Sequence, residues 1–470
     1  MSISSLIFIF AFLPVCLVGY YILPGFLKNL FLLLASLVFY AWGEPAYLIV
    51  LIISVLFNYL TGLQISVQMD EENEGGARLA LITGVIFNVA VLGFFKYYGF
   101  VLTNINGLFH TNIPIQSLSW PIGISFFTFS VLSYLFDVYR GESYAQTNII
   151  DFGLFVAFFA KISSGPIVRY ADMERQFGPH RLDRGEIGAG AAQFIRGLGK
   201  KVLIADNFGT LHSTLTALPS GQVTLATAWL TVIAYTLQIY FDFGGYSDMA
   251  IGLGRMFGFK ITQNFDYPYI SKTITEFWRR WHMTLGTWFR EYIYIPLGGN
   301  REGVIKHLRN IMIVWLLTGI WHGAAWNFIL WGVYYGILQL IEKYFLKDIL
   351  DRLPDFVSHI YTMLFVMIGW AIFSASSLGE AGMYVGRLVG IGCHGLVNSA
   401  FFYYVTTNLP QLIFGIVCST PLVYKLYRRI VFKRDGLRTY VSCGIYIVVL
   451  LCCFAYLINA TYQSFLYVQF

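Results

Sequence analysis

Charge is what this sequence has least of. Asp, Glu, Lys and Arg make up 12% of its 470 residues, about half the usual share for a soluble protein. Apolar residues make up 57%, much of it in long runs. Together these exclude a soluble globular domain and indicate a polytopic membrane protein. The net charge of +6 is too modest for a nucleic-acid binder and suits cytoplasmic loops rich in Lys and Arg. Cysteine is sparse: Cys16, Cys393, Cys418, Cys443, Cys452 and Cys453, with no CxxC pair. That indicates neither a zinc site nor a disulfide framework, and small apolar packing residues instead. No basic n-region and no clear cleavage site mark the run 3–23, which reads as a retained first span and not a signal peptide. Internal repeats and low-complexity linkers are not evident, so residues 1–470 are expected to form a single membrane domain.

Apolar runs predict spans at 3–23, 27–43, 47–64, 79–101, 121–139, 191–209, 222–242, 311–338, 356–374, 379–398, 401–424 and 440–457. Glu380 and Arg387 interrupt one of them, and Arg196, Lys200 and Lys201 another. Basic residues concentrate in 169–201, 255–309 and 425–438, which places these segments in the cytoplasm. Loops 103–119, 210–221 and 342–355 then lie outside, as do both termini. The acidic loop 67–78 stays inside, since acidic residues count little in this rule. Segment 151–168 must enter and leave on one face. Gly165-Pro166 breaks a helix there, and irregular backbone at membrane depth is tolerated only when buried in protein or lining a wet cavity.

The most informative run is Ile311 to Leu338, IMIVWLLTGIWHGAAWNFILWGVYYGIL, which lacks any Asp, Glu, Lys or Arg. It is long enough to cross a bilayer as one helix, with His322 near its middle. An ionisable group at that depth marks a functional site. On a continuous helix Thr318, Gly319, Ala325 and Trp326 share its face. The plainer reading is that the glycines allow close helix packing and His322 bonds a neighbouring carbonyl. A second stretch, NFDYPYISKTITEFWRRWHMTLGTWFREYIYIPLGGNR at 264–301, is aromatic, basic and too polar to span. It reads equally as an interfacial amphipathic helix or as the cytoplasmic rim of a channel with cations for an anionic donor. Asp242 and Asp248 lie in or beside a span and are expected to pair with Arg255, Arg279 or Arg280.

FWRRWHMTLGTWFREYIYIPLGGNR together with LLTGIWHGAAWNFILWGVYYG closely resembles the membrane-bound O-acyltransferase superfamily. PIGISFFTFSVLSYLFDVYRG, KISSGPIVRY, FDFGGYSDMAIGLGRMFG and the terminal FLYVQF extend the resemblance over most of the chain, toward its alginate O-acetyltransferase group. The resemblance implies an all-α polytopic fold: a ring of about 11–12 transmembrane helices, long enough to span, with re-entrant and interfacial helices around a central funnel. It implies His322 as the catalytic histidine and His282 as a second one. It also implies acetyl transfer outward for exopolysaccharide modification, through an extracytoplasmic polysaccharide acetyltransferase or a membrane-anchored partner.

The chemistry points to the same residues. Acyl transfer from a thioester to a hydroxyl needs a base, oxyanion stabilisation and exclusion of water. A buried imidazole stays neutral and ready to take a proton, so His322 is expected as base, with a transient acyl-imidazole as the alternative. His282, Trp326 and Asn327 are candidate supports. Arg279, Arg280 and Arg290 suit a donor path, because guanidinium groups pair with phosphates. No permanent cofactor or metal is expected. The donor would be acetyl-CoA or an acyl carrier protein thioester, and the surroundings a lipid bilayer of the cell membrane. Two alternatives remain: a D-alanyl transferase of teichoic acid modification, and a transporter, since intramembrane ionisable groups and broken helices mark transporters too.

Overall fold

The computed structural model describes residues 1–116, 119–178, 183–431 and 435–459, with side chains left out over 430–438. Arg181, Lys433, Arg434 and the FLYVQF motif lie outside the described residues. The chain forms two compact units: Met1–Phe194 with Ser247–Gln263, and Ile195–Tyr246 with Asn264–Phe470. Among the described residues the structure is helical, without strands. Among the described residues, seven helices are long and apolar enough to cross a membrane: Gly25–Gly43, Pro45–Asp70, Glu74–Phe109, Val304–His322, Asp355–Ser374, Ser399–Cys418 and Thr439–Asn459.

The first unit contains α1 (Leu13–Ile22), α2 (Gly25–Gly43), α3 (Leu48–Asp70), α4 (Glu74–Leu92), α5 (Tyr98–Phe109), α6 (Ile124–Tyr139), α7 (Ile149–Ala157), α8 (Tyr170–Met173) and most of α9 (Arg184–Gly199). Lipid offers no hydrophobic drive for helix association, so small residues and polar pairs take its place. Gly62 of α3 lies under the ring of Tyr134, and Gly84 of α4 under Leu135, so α6 approaches both. Buried Asn58 and Asn88 exchange amide bonds of 3.1 and 2.6 Å between α3 and α4. After α7 the chain leaves helical geometry at Phe158, ahead of the Gly165-Pro166 expected to break it. The irregular stretch that follows is buried, including Phe158, Phe159, Lys161 and Ser164. Lys161 sits over the Phe155 ring at 4.7 Å, and the Phe159 N–H donates to Ser36 Oγ at 3.1 Å. Burial of irregular backbone in protein is what the sequence required here. Arg255 pairs with Glu186 at 2.8 Å, and its hydrogen bonds hold the Glu186 carboxyl below its ordinary pKa.

The second unit contains α10 (Asp206–Thr216), the first two thirds of α11 (Leu225–Met256), α12 (Ile274–Arg280), α13 (Met283–Phe289), α14 (Val304–His322), α15 (Trp326–Ile341), α16 (Lys347–Leu350), α17 (Asp355–Ser374), α18 (Leu378–Leu388), α19 (Ser399–Cys418), α20 (Leu422–Val431) and α21 (Asp435–Asn459). It corrects three expectations. The run 311–338 is not one catalytic-histidine helix: α14 ends at His322, Gly323 and Ala325 are extended, and α15 starts at Trp326. The two helices are antiparallel, since Gly319 faces the Phe328 carbonyl, Gly332 the Trp315 carbonyl, and Gly336 the Met312 side chain. His307 Nε2 lies 3.1 Å from Lys343 Nζ. Loop 342–355, expected on the opposite face from 255–309, therefore meets the same end of the hairpin. The run 379–398 is not a span. Its helix stops at Leu388 and gives way to Gly390, Gly392 and Gly395, all at positive φ. The run 191–209 lies within continuous helical backbone from Arg184 to Thr216, through a π turn at Lys200–Ala205.

Candidate functional site

His322 is the last residue of α14 and is 2% exposed. The hairpin holds it through backbone contact. A Cβ on Gly319 would stand 2.4 Å from the Phe328 carbonyl oxygen, and one on Gly332 2.3 Å from that of Trp315. Only glycine lets α14 and α15 come this close. Three rings wall the imidazole, at centroid distances of 5.0 Å for Trp321, 4.9 Å for Trp331 and 5.2 Å for Phe373. Trp331 continues an aromatic cluster with Trp315, Tyr335 and Trp278. Water is shut out on these sides by packed rings.

The segment 264–301 is neither one amphipathic helix nor a surface element. α12 ends at Arg280, and the chain turns through His282 in the left-handed region (φ 44°) before α13. His282 is 2% exposed. Its ring meets Phe243 edge-on at 4.7 Å and Trp321 at 5.8 Å. Trp321 thus touches both histidines.

Sequence reasoning missed Asn264, although it opens the quoted stretch. Its Oδ1 accepts from the Thr284 N–H at 3.2 Å and from Thr284 Oγ1 at 2.9 Å, and lies 3.0 Å from His282 Nδ1. The amide hydrogen fixes Oδ1 as an acceptor, so Nδ1 carries the imidazole proton. Nε2 of neutral His282 is then the nitrogen with the lone pair. Glu342 was missed as well, having been assigned to an outside loop. It is 4% exposed and accepts from the Ile274 N–H (2.6 Å), the Thr275 N–H (2.9 Å) and Thr275 Oγ1 (2.7 Å). A carboxylate there satisfies the open N–H groups that begin α12. The only sequence signal was a glutamate ending an apolar run.

The remaining expected residues divide. Thr318 and Gly319 keep their one-turn spacing to His322, whereas Ala325 and Trp326 do not, because the helix ends first. Trp326 is 51% exposed at the hairpin turn. Asn327 is buried and donates to the Ala375 carbonyl at 2.7 Å. Arg280 is held by Asp266 and Glu276, each at 3.0 Å, and Arg290 by Glu291 at 2.6 Å. Arg279 is exposed. Asp242 is paired as expected, with a different partner: Lys201 lies 2.8 Å from it and 2.6 Å from Asp206. Asp248 accepts from Gln193 at 3.3 Å.

The model of the membrane-bound O-acyltransferase family matches residues 37–378. The chain belongs to this family. The O-acyltransferase is 43% identical over 388 residues to a probable alginate O-acetylase, AlgI, of Pseudomonas aeruginosa, covering 81% of this chain and 73% of the relative. It is 38% identical over 428 residues to a peptidoglycan O-acetyltransferase of Helicobacter pylori, covering 83% and 80%. It is 28% identical over 309 residues to a teichoic acid D-alanyltransferase of Bacillus subtilis, covering 60% and 78%. The all-α polytopic fold and membrane-embedded O-acyl transfer are thereby established for this chain.

Proposed function

We propose that this O-acyltransferase passes an acetyl group from a cytoplasmic thioester to an extracytoplasmic hydroxyl, for O-acetylation of an exopolysaccharide through a partner protein, with His322 as the base. One observation carries the reading: the buried His322 ring, walled by Trp321, Trp331 and Phe373 at the turn of a glycine-tight hairpin. The imidazole takes the proton as the acceptor oxygen attacks the thioester carbonyl carbon. The tetrahedral intermediate then expels the thiolate, and the imidazolium returns the proton to sulfur. Dry aromatic walls keep water from competing for the acyl group. His282, oriented by Asn264, is a second neutral imidazole against the same Trp321. It supports the site with an acceptor nitrogen.

The acetyl donor is acetyl-CoA or a carrier-protein thioester. Cytoplasmic supply is supported by the basic content of 255–309, whose last residues enter the hairpin at its His307–Lys343 end. Among the described residues, Arg279 is the arginine of the three with no carboxylate within ion-pair distance, and it is the one to test for donor phosphate contact. The relatives that act on alginate and on peptidoglycan align over more of the chain, and at higher identity, than the D-alanyltransferase. This favours acetyl over D-alanyl transfer.

The test is transfer of labelled acetyl from acetyl-CoA by purified protein in detergent, where no gradient exists to drive a transporter. Wild type should label an added acceptor. His322→Ala should lose activity by at least about a hundredfold, as expected for removing a general base, while keeping wild-type membrane level and melting behaviour. Near-normal transfer by a well-folded His322→Ala would overturn the assignment.

A further inference from the structure

Two of the seven apolar spans stand apart by exposure. α19 and the Thr439–Asn459 part of α21 are 11% buried over their most apolar stretch, against 28–44% for the other five. Apolar helices left this open at membrane length face lipid. The chain between them continues neither span. Ser419-Thr420-Pro421 ends α19, since proline has no N–H for the helical ladder. α20 then starts at Leu422. It is tied to α21 by a 2.7 Å bond between Tyr427 Oη and Ser442 Oγ.

α20 is two-sided. At about 3.6 residues per turn, Leu422, Val423, Leu426 and Tyr427 share one face, and Lys425, Arg428 and Arg429 share the other. Leu422, Val423 and Leu426 are 44–57% exposed, so the protein leaves the apolar face open. The three basic side chains are exposed as well. Arg428 keeps its guanidinium 5.9 Å from the centre of the Tyr424 ring, one turn away along the helix. The charge around α20 has one sign. From residue 381 to residue 470 the sequence holds one acidic residue, Asp435, against seven basic ones. Among the described residues, no carboxylate stands within ion-pair distance of Lys425 or Arg429. An open apolar face beside an open basic one, on a short helix joining two lipid-facing spans, fits the boundary between acyl chains and headgroups. A soluble acidic protein would satisfy the cations and leave the leucines in water.

We propose that α20 is an interfacial anchor that recognises anionic phospholipids. Its leucine face enters the acyl boundary, and Lys425, Arg428 and Arg429 pair with headgroup phosphates. The partner is a lipid surface of net negative headgroups, and a zwitterionic lipid gains the apolar contact alone. The proposal is independent of the transfer chemistry at His322.

Full-length protein in a nonionic detergent is titrated with phosphatidylglycerol, phosphatidylcholine or inorganic phosphate, and bound ligand is counted by native mass spectrometry. Wild type should bind phosphatidylglycerol at least about tenfold more tightly than phosphatidylcholine, since each basic side chain near the headgroups contributes about fivefold. Lys425→Gln with Arg428→Gln and Arg429→Gln should lose at least about tenfold in phosphatidylglycerol binding and nothing in phosphatidylcholine binding. Arg428→Lys with Arg429→Lys should keep most of the preference, because attraction to a charged surface needs no planar fork. Leu422→Ser with Leu426→Ser should weaken both lipids by about tenfold and keep the preference. Arg78→Gln with Lys347→Gln and Arg352→Gln, exposed basic positions elsewhere, should change neither. Equal binding of the two lipids by wild type would overturn the proposal, as would unchanged phosphatidylglycerol binding in a normally melting triple variant of α20. An equal loss in the control variant would reduce the effect to net charge and overturn it too. Inorganic phosphate competing as well as phosphatidylglycerol would mark a soluble-anion site. Displacement of the lipid by an acidic acyl carrier protein would mark a protein-docking face. Either result defeats the lipid reading.

Discussion

Two helical hairpins in this protein use the same packing device and come out differently. In the first unit α3 and α4 turn over at Glu71–Asn73, exposed polar residues, with the Asn73 side chain accepting from the Gly76 N–H to start α4. In the second unit α14 and α15 turn over at Gly323–Ala325, which has no charge and no polar cap, and Gly323 is buried. Both use glycine at close contacts: Gly62 and Gly84 admit Tyr134 and Leu135 of α6 against the first pair, whereas Gly319 and Gly332 bring α14 and α15 themselves into backbone contact. In the first, polarity is internal and reciprocal, Asn58 with Asn88. In the second, the polar group is a histidine ringed by aromatics. A self-satisfied amide pair serves association. An imidazole kept dry at a helix end is what the proposed acyl transfer needs.

The widest separation between the hairpins should appear in labelling. The α14–α15 reversal puts 301 and 348 at one end, so single cysteines there should label together with an impermeant reagent in intact cells, both or neither. Label at 348 but not 301 would restore a single span through His322 and break the comparison. Next in size is Gly332→Val. Its side chain would strike the Trp315 carbonyl, a backbone group that cannot rotate away, and overpacking of this kind costs about 1–3 kcal/mol or more. Melting temperature and acyl transfer should fall together. Gly62→Ala meets the Tyr134 ring instead, a side chain, and should lower stability while leaving transfer per folded molecule intact.

Smaller again is the loss expected at His282→Ala, less than at His322→Ala; equal losses with intact folding would give both histidines one shared catalytic role. Asn264→Ala should mimic His282→Ala, whereas Asn264→Asp keeps the acceptor oxygen, adds a charge beside the ring, and should retain transfer with its pH profile moved upward. An unmoved profile would reduce Asn264 to scaffolding. The smallest effect is in the first hairpin. A double-mutant cycle of Asn58→Ala and Asn88→Ala should give a coupling of about 0.6–1.7 kcal/mol in stability and none in transfer.

Much of this was legible in residues. Long uncharged runs located the first unit's helices, with ends off by up to eight positions where 79–101 extends over Glu74–Phe109, and an apolar stretch ending in Lys161-Ile-Ser-Ser-Gly-Pro166 marked its buried irregular segment. His322 and His282 stood out as ionisable groups in apolar or aromatic surroundings, and both are buried. Their supports did not stand out. Asn264 reaches His282 across eighteen positions, and Glu342 reaches α12 across sixty-eight. Nothing in local pattern marks such pairs. The Arg280 and Arg290 pairings with nearby carboxylates were legible in principle, since Glu276 and Glu291 stand one turn and one residue away. They were outweighed by the attraction of a basic rim.

Sequence alone determined that this chain is helical and membrane-embedded, because transfer of side chains into lipid depends on composition, and composition is local. Its ordered motifs also determined the family. Whether Ile311 to Leu338 crosses once or doubles back was decided only by tertiary structure. Hydropathy is the same for both paths, and Gly323-Ala324-Ala325 carries no proline or cap to announce a turn. The decision rests on backbone contact between Gly319 and Phe328 and between Gly332 and Trp315, which exists only once the two halves face each other. That contact puts His322 at a helix end within an aromatic enclosure, and not at the middle of a span.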